Sequence, residues 1–162
     1  MMRSRIGAGI VAGLIAGVVF GVMMQVMTMP MPHESGMSMP AEGRMPMITM
    51  FAEVLRSESL IAGWLYILFS SVMMGGIFGY VLGGRAARIG GGLAWGALYG
   101  VLVWVLGALI LMPILGGTDA FSPLTMPPMR PMAMTSLGGH LLSGLILGGV
   151  FAGLYNPGPA TS

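Results

Sequence analysis

The chain has 162 residues, 56% of them hydrophobic and only 7% charged, with a net charge of +2. A soluble domain carries about 25% charged residues, so most of this surface must face lipid or other helices rather than water. Cysteine is absent, which excludes disulfides, thiolate metal sites and thiol catalysis, and the few scattered arginines make no nucleic-acid surface.

The first predicted element is an uncharged apolar run over 6–29. About 20 apolar residues cross a bilayer. The run follows a basic start, MMRSR, but its 24 residues exceed the ~7–15 of a signal-peptide core, so it is expected to remain as a spanning helix. Gly9, Gly13, Gly17 and Gly21 recur every four residues and form a small-residue ridge for close helix approach. One more step along that ridge reaches Gln25.

The loop over 30–59 opens with MPMPHESGMSMP, residues 29–40. Proline removes backbone donors and favours extended chain, so this stretch is neither a helix nor a good strand. Eleven of the nineteen methionines lie in or at the edge of this loop and the loop over 113–134, so their placement is not that of core filler alone. After Pro46, residues Met47, Ile48, Phe51, Val54 and Leu55 share one helical face, the pattern of a short helix resting on the membrane surface.

The second span is predicted over 60–81, with Ser71, Gly75, Gly79 and Gly83 as its ridge. The turn that follows, GGRAARIGGG over 83–92, lacks a phosphate-loop lysine and follows no strand. The third span covers 90–112 with Gly92, Gly96 and Gly100, and the fourth covers 135–154 with Gly144, Gly148 and Ala152. Extending the fourth ridge backwards reaches His140 and then Ser136. His140 is the only ionisable side chain within a predicted span, and such a residue marks a functional site by default. The ridges predict that Gln25 and His140 both face the interior, roughly 6–8 Å below the same boundary. They could then meet, either as part of a site or as a hydrogen bond that locks two helices at about 0.6 kcal/mol. Ser71, on the ridge of the second span, is a further intramembrane polar residue.

The charges orient the spans. Arg3, Arg5, Arg85 and Arg88 share one side without acids, while Arg44, Arg56, Arg130 and all five acids fall on the other. The positive-inside rule then places both termini in the cytoplasm and the two long loops outside.

The chain also matches itself. A slide of 83 residues lays Gly7, Gly9, Gly13, Gly17, Met29 and Pro30 on Gly90, Gly92, Gly96, Gly100, Met112 and Pro113. A slide of 73 lays Leu68, Ser70, Gly75, Gly76 and Phe78 on Leu141, Ser143, Gly148, Gly149 and Phe151. The expected architecture is an all-α, single-domain membrane bundle of two repeated hairpins, about 6–83 and 89–156, related by an axis along the membrane normal.

Thioethers are soft, neutral ligands that select Cu(I). Met-x-Met pairs stand at 29/31, 37/39, 45/47 and 132/134, with His33 between the first two. This stretch resembles the Met-rich outer segments of copper transporters and periplasmic copper-resistance proteins, a resemblance of composition over about twenty residues. It implies Met31, His33, Met37, Met39, Met45 and Met47 as outer ligands of copper(I), with Met29, Met112 and His140 deeper. Met23 and Met27 repeat the transporters' Met-x3-Met spacing, whereas the adjacent Met73 and Met74 do not. As a whole, with LMP at 111–113 and GGHL at 138–141, the chain resembles small four-span membrane proteins of bacteria and archaea, which implies the fold and a prokaryotic plasma membrane but no activity.

No span carries Asp, Glu, Lys or Arg, which disfavours ion-coupled pumping, and the two histidines stand apart, which disfavours a hydrolytic zinc site. The expectation is a non-enzymatic protein that binds or passes a small ligand, copper(I) first among candidates. The alternative is a structural subunit whose ridges pack against a second copy or a larger membrane complex, with no metal role.

Overall fold

The computed structural model describes residues 4–30 and 44–155. Four helical stretches are long and apolar enough to cross a membrane, as expected of a multi-pass membrane protein. The first is α1, Arg5–Val26, capped by the Ser4 hydroxyl, which accepts from the Gly7 N–H at 3.0 Å. A two-stranded antiparallel ribbon follows, β1 (Thr28–Pro30) with β2 (Arg44–Pro46), in which Met29 stands opposite Met45. Past Pro46 the Met47 N–H donates to the Met27 carbonyl at 2.8 Å and ties the ribbon to the end of α1.

Helix α2 spans only Thr49–Glu53, shorter than the surface helix expected after Pro46. Ile48 and Ala52 are fully buried, while Val54 and Leu55 are exposed. Ile48 sits on Gly63 of α3 (Leu60–Leu82), and Phe51 stacks on Tyr66 with centroids 5.8 Å apart. This segment therefore caps the α1–α3 hairpin, and only its far edge is free to meet lipid headgroups.

A turn over 83–88 leads into α4, Ile89–Val103, which continues as a π-helical segment, Trp104–Leu111, and then α5, Met112–Leu115. Pro113 explains part of this irregularity. It has no N–H to give to the carbonyl four residues back and its ring crowds that carbonyl. That group belongs to Leu109, and it accepts instead from the Phe121 N–H at 2.6 Å. The returning loop thus satisfies a backbone group that lipid could not. Phe121 adopts φ 65° to do so, a left-handed conformation rare for a non-glycine residue.

After α6 (Ser122–Thr125) and one 3₁₀ turn (Pro127–Met129), α7 runs from Arg130 to Leu154. It begins five residues before the predicted fourth span, because Pro131 falls in its first turn, where proline costs no hydrogen bond.

Helix α1 packs on α3 and on α7, and α7 packs on α4. Two of these seams are glycine seams. A Cβ added at Gly9 would strike the Gly75 carbonyl, and one at Gly13 the Ser71 carbonyl. Likewise Gly92 abuts Gly148, Gly96 abuts Gly144, and Gly100 abuts the His140 carbonyl. Gly21 lies under the Trp64 ring. Helices α3 and α4 stand further apart, and Tyr99 bridges them, edge-on to Phe78 at 5.4 Å. The main core joins Ala8, Ala12 and Ala16 of α1 to Phe78, Tyr99, Leu147 and Phe151. Large side chains such as Val22, Ile61, Phe69 and Ile89 point outwards, as lipid contact requires.

Candidate functional site

A cavity of about 70 Å³ opens where the four long helices converge. That is room for a few waters or one small ion. Its wall is mostly apolar; the residues with polar side chains along it are Ser71 from α3, Tyr99 from α4, and His140 and Ser143 from α7, and Met74 also lines it.

Each polar group has a local reason for its position. The His140 ring Nδ1 lies 2.8 Å from the Ser136 carbonyl, one helical turn back. A carbonyl only accepts, so Nδ1 carries the proton and donates, and the neutral ring keeps its lone pair on Nε2. The Phe20 ring stands edge-on to the imidazole at 5.5 Å and limits its rotation. The Tyr99 hydroxyl donates to the Met74 carbonyl at 2.9 Å and lies 3.4 Å from the Met74 sulfur. One hydroxyl thus fixes the gap between α3 and α4 and sets a thioether at the cavity. The Ser71 side chain fills the notch left by Gly17.

Two expectations require correction. Gln25 does not meet His140. It is exposed, and its Oε1 accepts from the Trp64 indole N–H at 2.9 Å. The glycine ridge it extends faces α3, whereas His140 lies on α7, and each four-residue step drifts by about 40°. His140 itself lies ten residues into α7, level with Gly100 of α4.

The proposed deep ligands are not brought together either. Met112 is twelve residues beyond Gly100, roughly 18 Å along its helix from the level of His140, and Met29 lies past the end of α1 in the ribbon. Met74, which the spacing argument passed over, shares the cavity with His140 instead. Its signal was present: Ser71 and Met74 are three apart, hence neighbours on one helix face. His140 and Ser143 have the same spacing.

Among the outer methionines, Met47 packs with Met24, Ile48 and Ile67 in an apolar cluster. Met23 and Met27 join that cluster, and the Met23 methyl lies over Gly139. Met45 is held opposite Met29 by the ribbon. Met31, His33, Met37 and Met39 lie outside the described residues. No group of three or more His, Cys, Asp or Glu side chains able to hold a metal occurs among the described residues.

Comparison of the chain with protein-family models, with curated proteins and with solved structures finds no match. The functional reading therefore rests on the site.

Proposed function

We propose that this protein is a non-enzymatic membrane protein that binds or passes a small ligand through the space between two duplicated hairpins, and that the ligand is copper(I). The observation that carries the reading is the shared cavity of His140 and Met74. Imidazole and thioether are neutral donors that suit Cu(I). An Nδ1–H held by a carbonyl, as at His140, is the arrangement that fixes ring orientation in metal-ligating histidines. The methionines of residues 29–47 would collect the ion at the loop end and pass it inwards. On the positive-inside rule that end is outside a prokaryotic plasma membrane, and the arginine-bearing end is cytoplasmic.

Duplication is supported by matched contacts. Gly9 on Gly75 corresponds to Gly92 on Gly148, and Gly13 on Ser71 to Gly96 on Gly144, under the same slides of 83 and 73. The cavity lies between the halves, where repeat-built transporters place their sites. Because these ridges are used within the chain, a subunit role would have to rely on other faces.

The test is Cu(I) competition binding on purified protein in detergent, with a chelator of known affinity. Met74→Leu and His140→Phe are each expected to weaken binding at least tenfold, while Met-to-Leu changes at 31, 37 and 39 slow loading without abolishing it. Absence of sub-micromolar binding by the unaltered protein refutes the copper reading. Equal binding by all variants refutes the site.

A further inference from the structure

The end of the bundle that carries the α3–α4 turn is basic and has no internal counter-charge. Arg5, Arg85 and Arg88 are all exposed there. The sequence contains no acid before Glu34, none between Glu58 and Asp119, and none after Asp119. The described acids Glu53, Glu58 and Asp119 belong to the loop segments at the opposite end of the helices.

Two of these guanidinium groups are held in place rather than left free. The Arg5 Nε–H donates to the Tyr155 hydroxyl at 3.0 Å, and its guanidinium lies 5.9 Å from that ring centre. One terminal nitrogen of Arg5 reaches over Gly84, 3.7 Å from where a Cβ would stand. Arg85, the next residue, lies over the Trp95 ring at 5.7 Å. Aromatic faces thus hold both cations beside one glycine turn, without carboxylate partners. Arg5 spends its Nε–H on Tyr155 and keeps the N–H donors of its two terminal nitrogens, and Arg85 beside it offers donors of the same kind to an oxyanion.

We propose that Arg5 and Arg85 clamp the headgroup phosphate of an anionic glycerophospholipid, with its acyl chains along the adjoining outer faces of α3 and α4. The choice of a lipid follows from position. The turn joins two membrane-spanning helices, so it lies at headgroup level. Tyr80 and Val81 of α3 and Ile89 of α4 are more than half exposed beside it and offer an apolar wall to the chains. Basic sites between spanning helices commonly hold such headgroups. The bare backbone of Gly84 leaves the space beside the Arg5 guanidinium open.

The test uses the full chain reconstituted in phosphatidylcholine vesicles doped with spin-labelled phosphatidylglycerol or spin-labelled phosphatidylcholine. The motionally restricted fraction of each label gives the selectivity. The unaltered protein is expected to prefer the anionic label, and Arg5→Gln and Arg85→Gln are each expected to lower that preference about five-fold. Arg130→Gln, at the other end, is expected to leave it unchanged. Arg85→Gln leaves the Arg5–Tyr155 bond intact, and circular dichroism checks the fold of each variant. Equal restriction of both labels by the unaltered protein overturns the proposal. So does an equal loss in Arg130→Gln, which would reflect general surface charge. Displacement of the label by inorganic phosphate at matched ionic strength would mark a site for soluble anions and overturn the lipid assignment.

Discussion

Alanine at two glycines of α7 separates backbone contact from intrinsic helix preference. A Cβ at Gly144 would strike the Gly96 carbonyl and lie 3.0 Å from the Gly100 Cα and 3.1 Å from the Gly100 nitrogen. All three are backbone atoms, so no rotamer change makes room, and α4 must move as a body. Overpacking of this kind costs about 1–3 kcal/mol. Gly138, on the same helix, has nothing within 4 Å of its added Cβ. Its replacement by alanine only restricts the unfolded chain and is expected to stabilise by about 0.5–1 kcal/mol. Both changes gain the same helix preference, so they should differ by the overpacking cost alone, about 1–3 kcal/mol, with Gly144→Ala the less stable. Unfolding in mixed micelles by increasing SDS, followed by circular dichroism, reads both. If Gly144→Ala matches Gly138→Ala, the α4–α7 seam is not in backbone contact and the packing argument fails.

Three further outcomes follow from individual contacts. Phe121→Asn should stabilise by about 1 kcal/mol, because asparagine tolerates the left-handed backbone while the N–H to the Leu109 carbonyl is kept; a lower unfolding midpoint would contradict the strain argument. A double-mutant cycle of Trp64→Phe and Gln25→Leu should give a coupling of about 0.6 kcal/mol for the indole–amide bond, on top of whatever Trp64→Phe loses in packing over Gly21. Tyr99→Phe keeps the ring against Phe78 but removes the interhelical bond to the Met74 carbonyl, which retains its partner within α3, so a loss of about 1 kcal/mol is expected in the same titration.

Four spans were legible because uncharged apolar runs of this length have few alternatives, and the helices lie within a few residues of the predicted bounds except at two prolines. Pro131 was read as loop, but as a first-turn residue it lets α7 start early. Pro113 was read as the end of the third span, yet helix continues to Leu115 through a π-helical stretch. The rescue of the Leu109 carbonyl by Phe121 is a contact between residues twelve apart, which periodicity does not register. For the site, His140 was legible as the lone ionisable group in a span. Its neighbours were not, because a ridge names the face that meets one helix and says nothing of a second. The ridge of α1 meets α3, so following it to Gln25 led away from α7. Met74 and Tyr99 needed the relative placement of α3 and α4, which Tyr99 joins through its hydroxyl on Met74 and its ring on Phe78.

The placement of the cavity has a cause in a difference between the halves. Ala8, Ala12 and Ala16 lie beside the glycine ridge of α1 and are buried with Leu147 and Phe151 of α7. Two adjacent rows of small residues let α1 approach two helices at once. At the positions 83 residues on, α4 has Gly91, Trp95 and Tyr99. Its glycine row still closes on α7, but Trp95 and Tyr99 are too large for α3 to approach as α7 approaches α1. One seam is therefore tight and the other is propped open, and the void falls beside the prop. Tyr99 is well suited to that role, since its ring fills the gap against Phe78 and its hydroxyl finds an acceptor in the Met74 carbonyl. A bundle with alanine in both rows could close both seams, and His140 would lose the space beside it. Unequal side chains on α1 and α4 thus leave a void in the bundle with His140 and Met74 in its lining.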